Sequence, residues 1–465
     1  MKETLCPPFP PPLPPGSMLF LEVLMKLHFF TVNDIDEYRK HYPHDAAVDD
    51  IYNEAHPQTL EELDQAYFYR KAKGANDDAK DVYESELYGE TGIDGLKLDF
   101  NYGLRLDVPE GNFRVKISDF DTEKICLNKY ISGGRIISVE KYFIRWHVEI
   151  FLDEEKIFDY TPDLKGKPVA VKFISQALGD TLAMIPYVRE FKRIHGCEVR
   201  IRVQDYLRGL IERLYPDLPE LDEKFEPFAT YFPMMYSAYP FVPVVPDDAR
   251  QMSMLRIGGM ILGINHLPPK AKFKPTESPV TEEPYVCIGI QARNARKGWL
   301  YPRGWDIVVD YLKSLGYRVF CIDKNAKEVG DELTVCKPEG AEDFTGDRPL
   351  LERANMLCHA EFFIGIGSGL SWLANAVDCP VVMICGFSQD WCEFYTPYRV
   401  MNYKVCHGCF NDMRVSFLAQ RCPYHKGTAR ELECQKKISP RMVVDAIERL
   451  IVDKNLIPPA LSIRN

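Results

Sequence analysis

The run Glu361-Phe-Phe-Ile-Gly-Ile-Gly-Ser-Gly-Leu-Ser-Trp-Leu-Ala-Asn-Ala376 constrains the fold more than any other stretch. Its first part, Phe362 to Ile366, is apolar and short enough for one buried strand. Gly365, Gly367 and Gly369 punctuate its end, with Ser368 and Ser371 between and after them, and Leu370, Leu373, Ala374 and Val377 then recur at helical spacing. Strand, glycine-rich turn and helix in that order point to an α/β sheet. Such a turn leaves backbone N–H groups free at a helix N-terminus, where the dipole also favours an anion. Glycines there let the backbone approach a phosphate with no side chain between. Taken alone, the stretch is as compatible with a βα turn that binds nothing.

The pattern recurs earlier in the chain. Pro168-Val-Ala-Val-Lys-Phe-Ile174 reads as a buried strand, Ser175-Gln-Ala-Leu-Gly-Asp180 as a turn, Thr181 to Phe191 as a helix, and His195 to Arg202 as the next strand. This order starts a parallel sheet with right-handed crossovers. Asp180 at the helix start suits an N-cap. That is the commoner use of such a residue; the other is a carboxylate held at a strand's C-terminal end, where doubly wound sheets take their ligands.

A second unit begins at Tyr285-Val-Cys-Ile-Gly-Ile-Gln291, after a proline-rich stretch (215–283) with one helix over Met252–Ile264 and a linker over Pro275–Pro284. Its first loop carries Arg293, Arg296, Lys297 and Arg303. A cationic loop at a strand end suits a diphosphate, although a solvated basic loop has the same composition. The helix Trp305–Leu315 and the strand Tyr317–Ile322 follow. Asp323 then stands where a ribose-binding carboxylate is expected in such sheets. Pro380–Gly386 is a further strand. Two α/β units with candidate residues in each imply a cleft between domains.

Before these units, Leu96–Phe100, Phe113–Ile117, Arg135–Val139 and Tyr142–Phe151 alternate apolar and polar residues, with glycine-bearing turns between. They predict an antiparallel β module of four to six strands, whose edges suit protein contacts. The expected divisions are residues 1–95 (tail and acidic lead-in), 96–163 (β module), 164–280 (first α/β domain) and 281–465 (second α/β domain). In the first of these, Pro7–Pro15 should be extended. Met18–Phe30 is apolar but carries Glu22 and Lys26, is too short to span a bilayer and lacks a basic flank. With no transmembrane segment further on, a cytoplasmic location is expected.

The formal charge of −11 leaves no basic surplus for nonspecific nucleic-acid binding. Ten of the 14 cysteines are scattered singly, which suits small core residues in a reduced compartment. The other four form a cluster: Cys406-His-Gly-Cys409, Cys422 after twelve residues and Cys434 after eleven more. That spacing suits a tetrahedral site for iron or zinc, or two disulfides, and the reducing context favours the metal. His407 and His425 are possible substitutes for one ligand. Four protein ligands leave no open position, so such a metal would be structural.

Taken together, Ala177-Leu-Gly-Asp-Thr-Leu-Ala-Met-Ile-Pro186, the Lys297-Gly-Trp299 loop and Gly365-Ile-Gly-Ser-Gly-Leu-Ser-Trp-Leu373 resemble glycosyltransferase family nine, the ADP-heptose transferases. Gly340-Ala-Glu-Asp-Phe-Thr-Gly346, Gly386-Phe-Ser388, Glu393-Phe-Tyr-Thr-Pro397 and the cysteine tail narrow the resemblance to the bacterial autotransporter O-heptosyltransferases. It covers roughly Phe100 to the C-terminus. It implies a GT-B architecture, α/β with two Rossmann-like domains after a small antiparallel β module, and a donor held in the cleft. It also implies inverting transfer of heptose from ADP-heptose to serines of autotransporter adhesins before export, one iron on four cysteines (zinc being possible), and a large homo-oligomer. On this resemblance Asp180 is the general base. Leu178, Gly179, Thr181, Lys297, Trp299, Asp323, Ser368, Gly369, Leu370 and Ser371 bind substrate, and Cys406, Cys409, Cys422 and Cys434 hold the metal. The alternatives are a lipopolysaccharide-core heptosyltransferase and a non-catalytic metal-binding scaffold.

Overall fold

The computed structural model describes residues 86–462 apart from 139, 235–244, 248, 293–294, 330–333, 413 and 416–421. The proline run, the apolar run 18–30, the acidic lead-in to residue 85 and Arg293 lie outside the described residues.

Seven strands come first: β1 (Lys97–Asn101), β2 (Arg105–Val108), β3 (Phe113–Asp119), β4 (Ile125–Ile131), β5 (Gly134–Ile137), β6 (Trp146–Leu152) and β7 (Glu155–Tyr160). They do not stay together. Only β4-β3-β6-β7 form an antiparallel sheet of their own, a small β module. The other three join the first α/β sheet, whose remaining strands are β8 (Pro168–Lys172), β9 (Glu198–Arg202) and β10 (Ala229–Tyr231), in the order β5-β2-β1-β10-β8-β9. Burial separates the two groups. Residues Leu98 to Asn101 of β1 are buried on both faces, as an interior strand requires, whereas β4 is exposed along most of its length and takes an edge. A fully buried ion pair locks β1 to β2: Arg105 Nε and Nη2 donate to the two carboxylate oxygens of Asp99 at 2.8 and 2.7 Å. This bidentate geometry offsets the desolvation of both charges.

The second sheet is wholly parallel. It comprises β11 (Tyr285–Gly289), β12 (Arg318–Cys321), β15 (Glu342–Asp343), β16 (Phe363–Ile366), β17 (Val381–Ile384) and β18 (Arg399–Val400), in the order β15-β12-β11-β16-β17-β18. A hairpin, β13 (Lys327–Val329) with β14 (Thr334–Cys336), is inserted before β15. Residues of β11 alternate between two cores. Val286 and Ile288 face the helices Gly304–Ser314 and Pro440–Asp453, while Tyr285 and Cys287 belong to a core continuous with the first domain. The connections reverse direction between β11 and β16. Ligands of doubly wound sheets bind in the crevice beyond the strand ends at such a reversal.

Two helices start at the carboxyl ends of strands and meet at their first turns. Leu178–His195 follows β8, and Gly369–Ala376 follows β16. A Cβ on Gly179 would lie 2.8 Å from Trp372 Cδ1, and one on Gly369 would lie 3.0 Å from Leu178 Cβ. Glycine at both positions therefore allows the close approach. The connecting segment is tied down as well: Lys270 Nζ donates to the Asn375 carbonyl at 2.6 Å, and the Thr276 N–H to Asn355 Oδ1 at 2.7 Å. No helix among the described residues is long and apolar enough to cross a membrane.

Candidate active site

On the first domain's side, Asp180 is 5% exposed and does not cap its own helix, which has no side-chain N-cap. Its carboxylate instead accepts from Ser175 Oγ at 2.6 Å, and the same hydroxyl oxygen accepts from the Ala177 N–H at 3.1 Å. Burial pushes the Asp180 carboxyl above its ordinary range, while the Ser175 hydrogen bond and the charge of Lys297 pull it back. Lys297, on the other domain, is thus within electrostatic reach of Asp180. Tyr206, half-exposed, donates its hydroxyl to the Gln176 carbonyl at 2.9 Å. Burial, with the Asp180 charge adding to it, pushes the Tyr206 phenol up to about 12. A carboxyl whose affinity for a proton is raised by burial is suited to act as a base.

On the second domain's side, the loops after β11 and β16 flank the point where the strand order reverses. Gly367 sits tightly on a buried network: a Cβ there would lie 3.0 Å from Glu393 Oε1 and 3.2 Å from Cys385 Sγ. Glu393 is held in turn by Ser388 Oγ at 2.6 Å and Arg399 at 2.9 Å. Ser371 Oγ closes the turn on the Ile366 carbonyl at 2.6 Å. Ser368, at the N-cap position, makes no cap bond with its side chain, and its buried Oγ has no hydrogen-bond partner. Across the junction, Thr181 Oγ1 is also buried and unpartnered. Buried hydroxyls left unpaired are costly, and a ligand would relieve the cost. Lys297 stands on the face of Phe387, its Nζ 5.8 Å from the ring centroid.

Not every candidate residue faces the junction of the two helix starts. Trp299 is buried, donates its indole N–H to the Ile438 carbonyl at 2.8 Å and packs edge-on against Trp305. Asp323 turns inward. Its two carboxylate oxygens accept from the Ile290 N–H at 2.7 Å and the Gln291 N–H at 3.3 Å, and burial pushes its carboxyl up to about 6. It shapes the start of the loop that carries Lys297. Leu178 and Gly179 form the helix contact described above, with Leu370 half-buried beside β11, where a Cβ on Gly289 would meet its Cδ1 at 3.1 Å. Ser175 and Tyr206 were not candidates in the sequence, since neither a hydroxyl in a turn nor a tyrosine in the next crossover marks itself as a partner of Asp180.

The four clustered cysteines line one small cavity, together with Arg296, His407, His425 and Glu433. The cysteines among the described residues are not joined in disulfides. The Cys406, Cys409 and Cys422 sulfurs all influence the Cys434 thiol, so the four converge electrostatically. In this cavity Cys406, His425 and Glu433 offer possible ligand atoms that all lie within 4.8 Å of one another. Burial pushes the Cys409 thiol up to about 12, so thiolates here call for a neutralising cation. The donor set therefore fits a thiophilic metal.

Comparison with known proteins bears on both halves. Residues 266–416 match the model for glycosyltransferase family 9 (heptosyltransferase), and residues 92–154 match the N-terminal domain of glycosyltransferase TibC. The autotransporter heptosyltransferase TibC of Escherichia coli O78:H11 (strain H10407 / ETEC) is 38% identical over 370 residues, covering 78% of this chain and 91% of TibC. A crystal structure of dodecameric iron-containing heptosyltransferase TibC in complex with ADP-D-beta-D-heptose superposes with a TM-score of 0.74 at 36% identity, over 79% of this chain and 99% of that one. An inactive autotransporter heptosyltransferase, BimC of Burkholderia thailandensis, is 33% identical over 78% of this chain and 86% of its own length.

Proposed function

Since the chain belongs to the autotransporter heptosyltransferases of glycosyltransferase family 9, we propose that it moves heptose from ADP-heptose to serine hydroxyls of an autotransporter adhesin, inverting the anomeric carbon. The two α/β domains then form a GT-B pair with the donor between them. The observation that carries this reading is the placement of Asp180. It is buried, held by Ser175 instead of capping its helix, and within electrostatic reach of Lys297 where two helix starts meet.

The chemistry follows from that placement. Asp180 takes the proton from the acceptor serine as its Oγ attacks the anomeric carbon, and the bond from that carbon to the diphosphate oxygen breaks. The electron pair leaves with ADP. Backbone N–H groups at the start of Gly369–Ala376, the free Ser368 hydroxyl and Lys297 stabilise the charge that grows on the leaving diphosphate. Asp323 and Trp299 support this wall from behind. Cys406, Cys409, Cys422 and Cys434 would hold one iron or zinc ion. With its four positions filled by sulfur, that ion would cross-link the tail structurally.

As in the dodecameric relative, this chain is proposed to assemble with copies of itself and to act in the cytoplasm, before its acceptor is exported. The β module and cysteine cluster set it apart from a lipopolysaccharide-core enzyme. A non-catalytic reading draws on the inactive relative and predicts no transfer. The purified chain, incubated with ADP-heptose and an unmodified adhesin fragment, should add the mass of one or more heptoses. Peptide mass spectrometry should place them on serines. An acceptor of unchanged mass beside intact donor would favour the non-catalytic reading.

A further inference from the structure

The cysteine cavity and the cationic loop are built as one piece, though about 110–140 residues separate them in sequence. Arg296, next to Lys297, is 5% exposed and lines the cysteine cavity beside Cys409, whose thiol its guanidinium charge favours in the ionised form. Its backbone carbonyl accepts from Gln435 Nε2 at 2.5 Å, one residue beyond Cys434. The Leu300 N–H reaches the Gln435 carbonyl at 3.3 Å, and the Trp299 indole reaches the Ile438 carbonyl at 2.8 Å. The loop after β17 joins from the other side. A Cβ on Gly386 would lie 2.4 Å from the Cys434 carbonyl oxygen, and the Gly408 N–H donates to the Gly386 carbonyl at 2.9 Å. Phe387, next in that loop, carries Arg296 and Lys297 on its ring, at 4.6 and 5.8 Å from the centroid.

We infer that the cysteine site controls nucleoside-diphosphate binding, with Arg296 as the positioning residue that links a metal-bound Cys409 to Lys297. Metal on the four sulfurs holds Cys409 and Gln435 in place. Arg296 neutralises part of the thiolate charge and is fixed by it, and the adjoining Lys297 is thereby aimed at the diphosphate. Without metal, the anchor of Arg296 loosens and Lys297 loses its direction. Groups that orient metal ligands commonly contribute about 10–100-fold to the property they support. Binding linkage is reciprocal, so bound ADP must strengthen metal retention by the same factor that metal strengthens ADP binding.

The inference rests on the donor-site reading above, and one set of measurements separates the two. ADP affinity is measured by calorimetry on the full-length protein as purified, on the same protein after chelation, and on Arg296→Met, Arg296→Lys and Lys297→Ala, with metal content of each by mass spectrometry. The expectation is about tenfold or greater weakening of ADP binding on chelation and in metal-loaded Arg296→Met, with Arg296→Lys intermediate. The two losses should not add: chelating Arg296→Met should weaken ADP little further. A chelated wild type that binds ADP within twofold of the loaded protein, or fully additive losses, would overturn the coupling. Should chelation unfold the chain, loaded Arg296→Met decides: weaker ADP binding supports the inference, equal binding overturns it. A loaded wild type that binds no ADP, or a Lys297→Ala variant that binds it normally, would instead sink the donor-site reading and the coupling with it.

Discussion

The two helix starts that meet at their first turns are built alike and equipped differently. Each follows a parallel strand, each lacks a side-chain N-cap, and each places a glycine against the other. At the start of Leu178–His195 sits a carboxylate, buried and tethered by a serine, in a position where the helix dipole favours the charged form and burial opposes it. At the start of Gly369–Ala376 there is no charge at all, only glycines and a hydroxyl without a partner. On the proposed reading the first start exchanges a proton and the second receives an anion. Serines close two other helix starts, Ser253 accepting from the Leu255 N–H and Ser439 from the Met442 N–H, whereas Gly304–Ser314 and Leu350–His359 also lack a side-chain cap. What sets the two meeting starts apart is therefore the groups they carry and their contact with each other.

The contrast breaks first at Asp180. Asp180→Asn keeps the shape of the first start and removes its proton acceptor, so heptose transfer should fall by about 10²–10⁴-fold with ADP affinity unchanged. Near-normal turnover by this variant would show the two starts to be chemically equivalent. Next, Gly179→Ala pushes a Cβ onto Trp372 and forces the starts apart. It should cost about 1–3 kcal/mol of stability, read as a lowered Tm, and reduce transfer in parallel. An unchanged Tm would mean that the close approach is not required.

Ser175→Ala sharpens the picture of the acidic start. The Ser175 hydrogen bond favours the carboxylate, so its loss lets burial raise the Asp180 carboxyl further. A base works only when deprotonated, so the acid limb of kcat/KM should move to higher pH. A limb that stays in place or moves down in pH counts against Asp180 as the titrating base. The smallest effect is expected at Ser368. Ser368→Ala removes a buried hydroxyl that bonds nothing, so Tm should hold or rise slightly. ADP affinity should fall by about 0.5–1.5 kcal/mol, since the ligand's oxygen then lacks the hydroxyl as a donor. Loss of stability with unchanged affinity would reverse the assignment.

The strands that carry these starts were legible because they are short apolar runs between glycine and proline signals, as in Phe362–Ile366 and Pro168–Ile174. The wholly parallel second sheet follows the same logic. The division of the early strands was not legible. Leu96–Phe100 and Phe113–Ile117 alternate alike, and only pairing partners more than a hundred residues away, such as Ala229 opposite Phe100, send one into the α/β sheet. Short strands with mixed faces, β2 and β4, carried no clear period. For the site, residue type and position beside a turn made Asp180, Lys297 and Ser368 candidates among several, and only the family resemblance singled them out. Direction was not in the sequence. Asp323 stands at a strand end as a ribose-binding carboxylate would, but the Ile290 and Gln291 N–H groups draw it inward. Trp299 adjoins Lys297 yet points into the core, and Arg296, one more cation in the loop, reaches back to Cys409.

The account turns on the diphosphate lying between the two starts, and a structure of the chain with bound ADP tests this most directly. It predicts the phosphates on the N–H groups of Gly369, Leu370 and Ser371, with Ser368 Oγ and Lys297 Nζ in contact and the terminal phosphate turned toward Asp180. ADP phosphates bound away from the start of Gly369–Ala376, or held there with Asp180 on the far side of the chain, would contradict it.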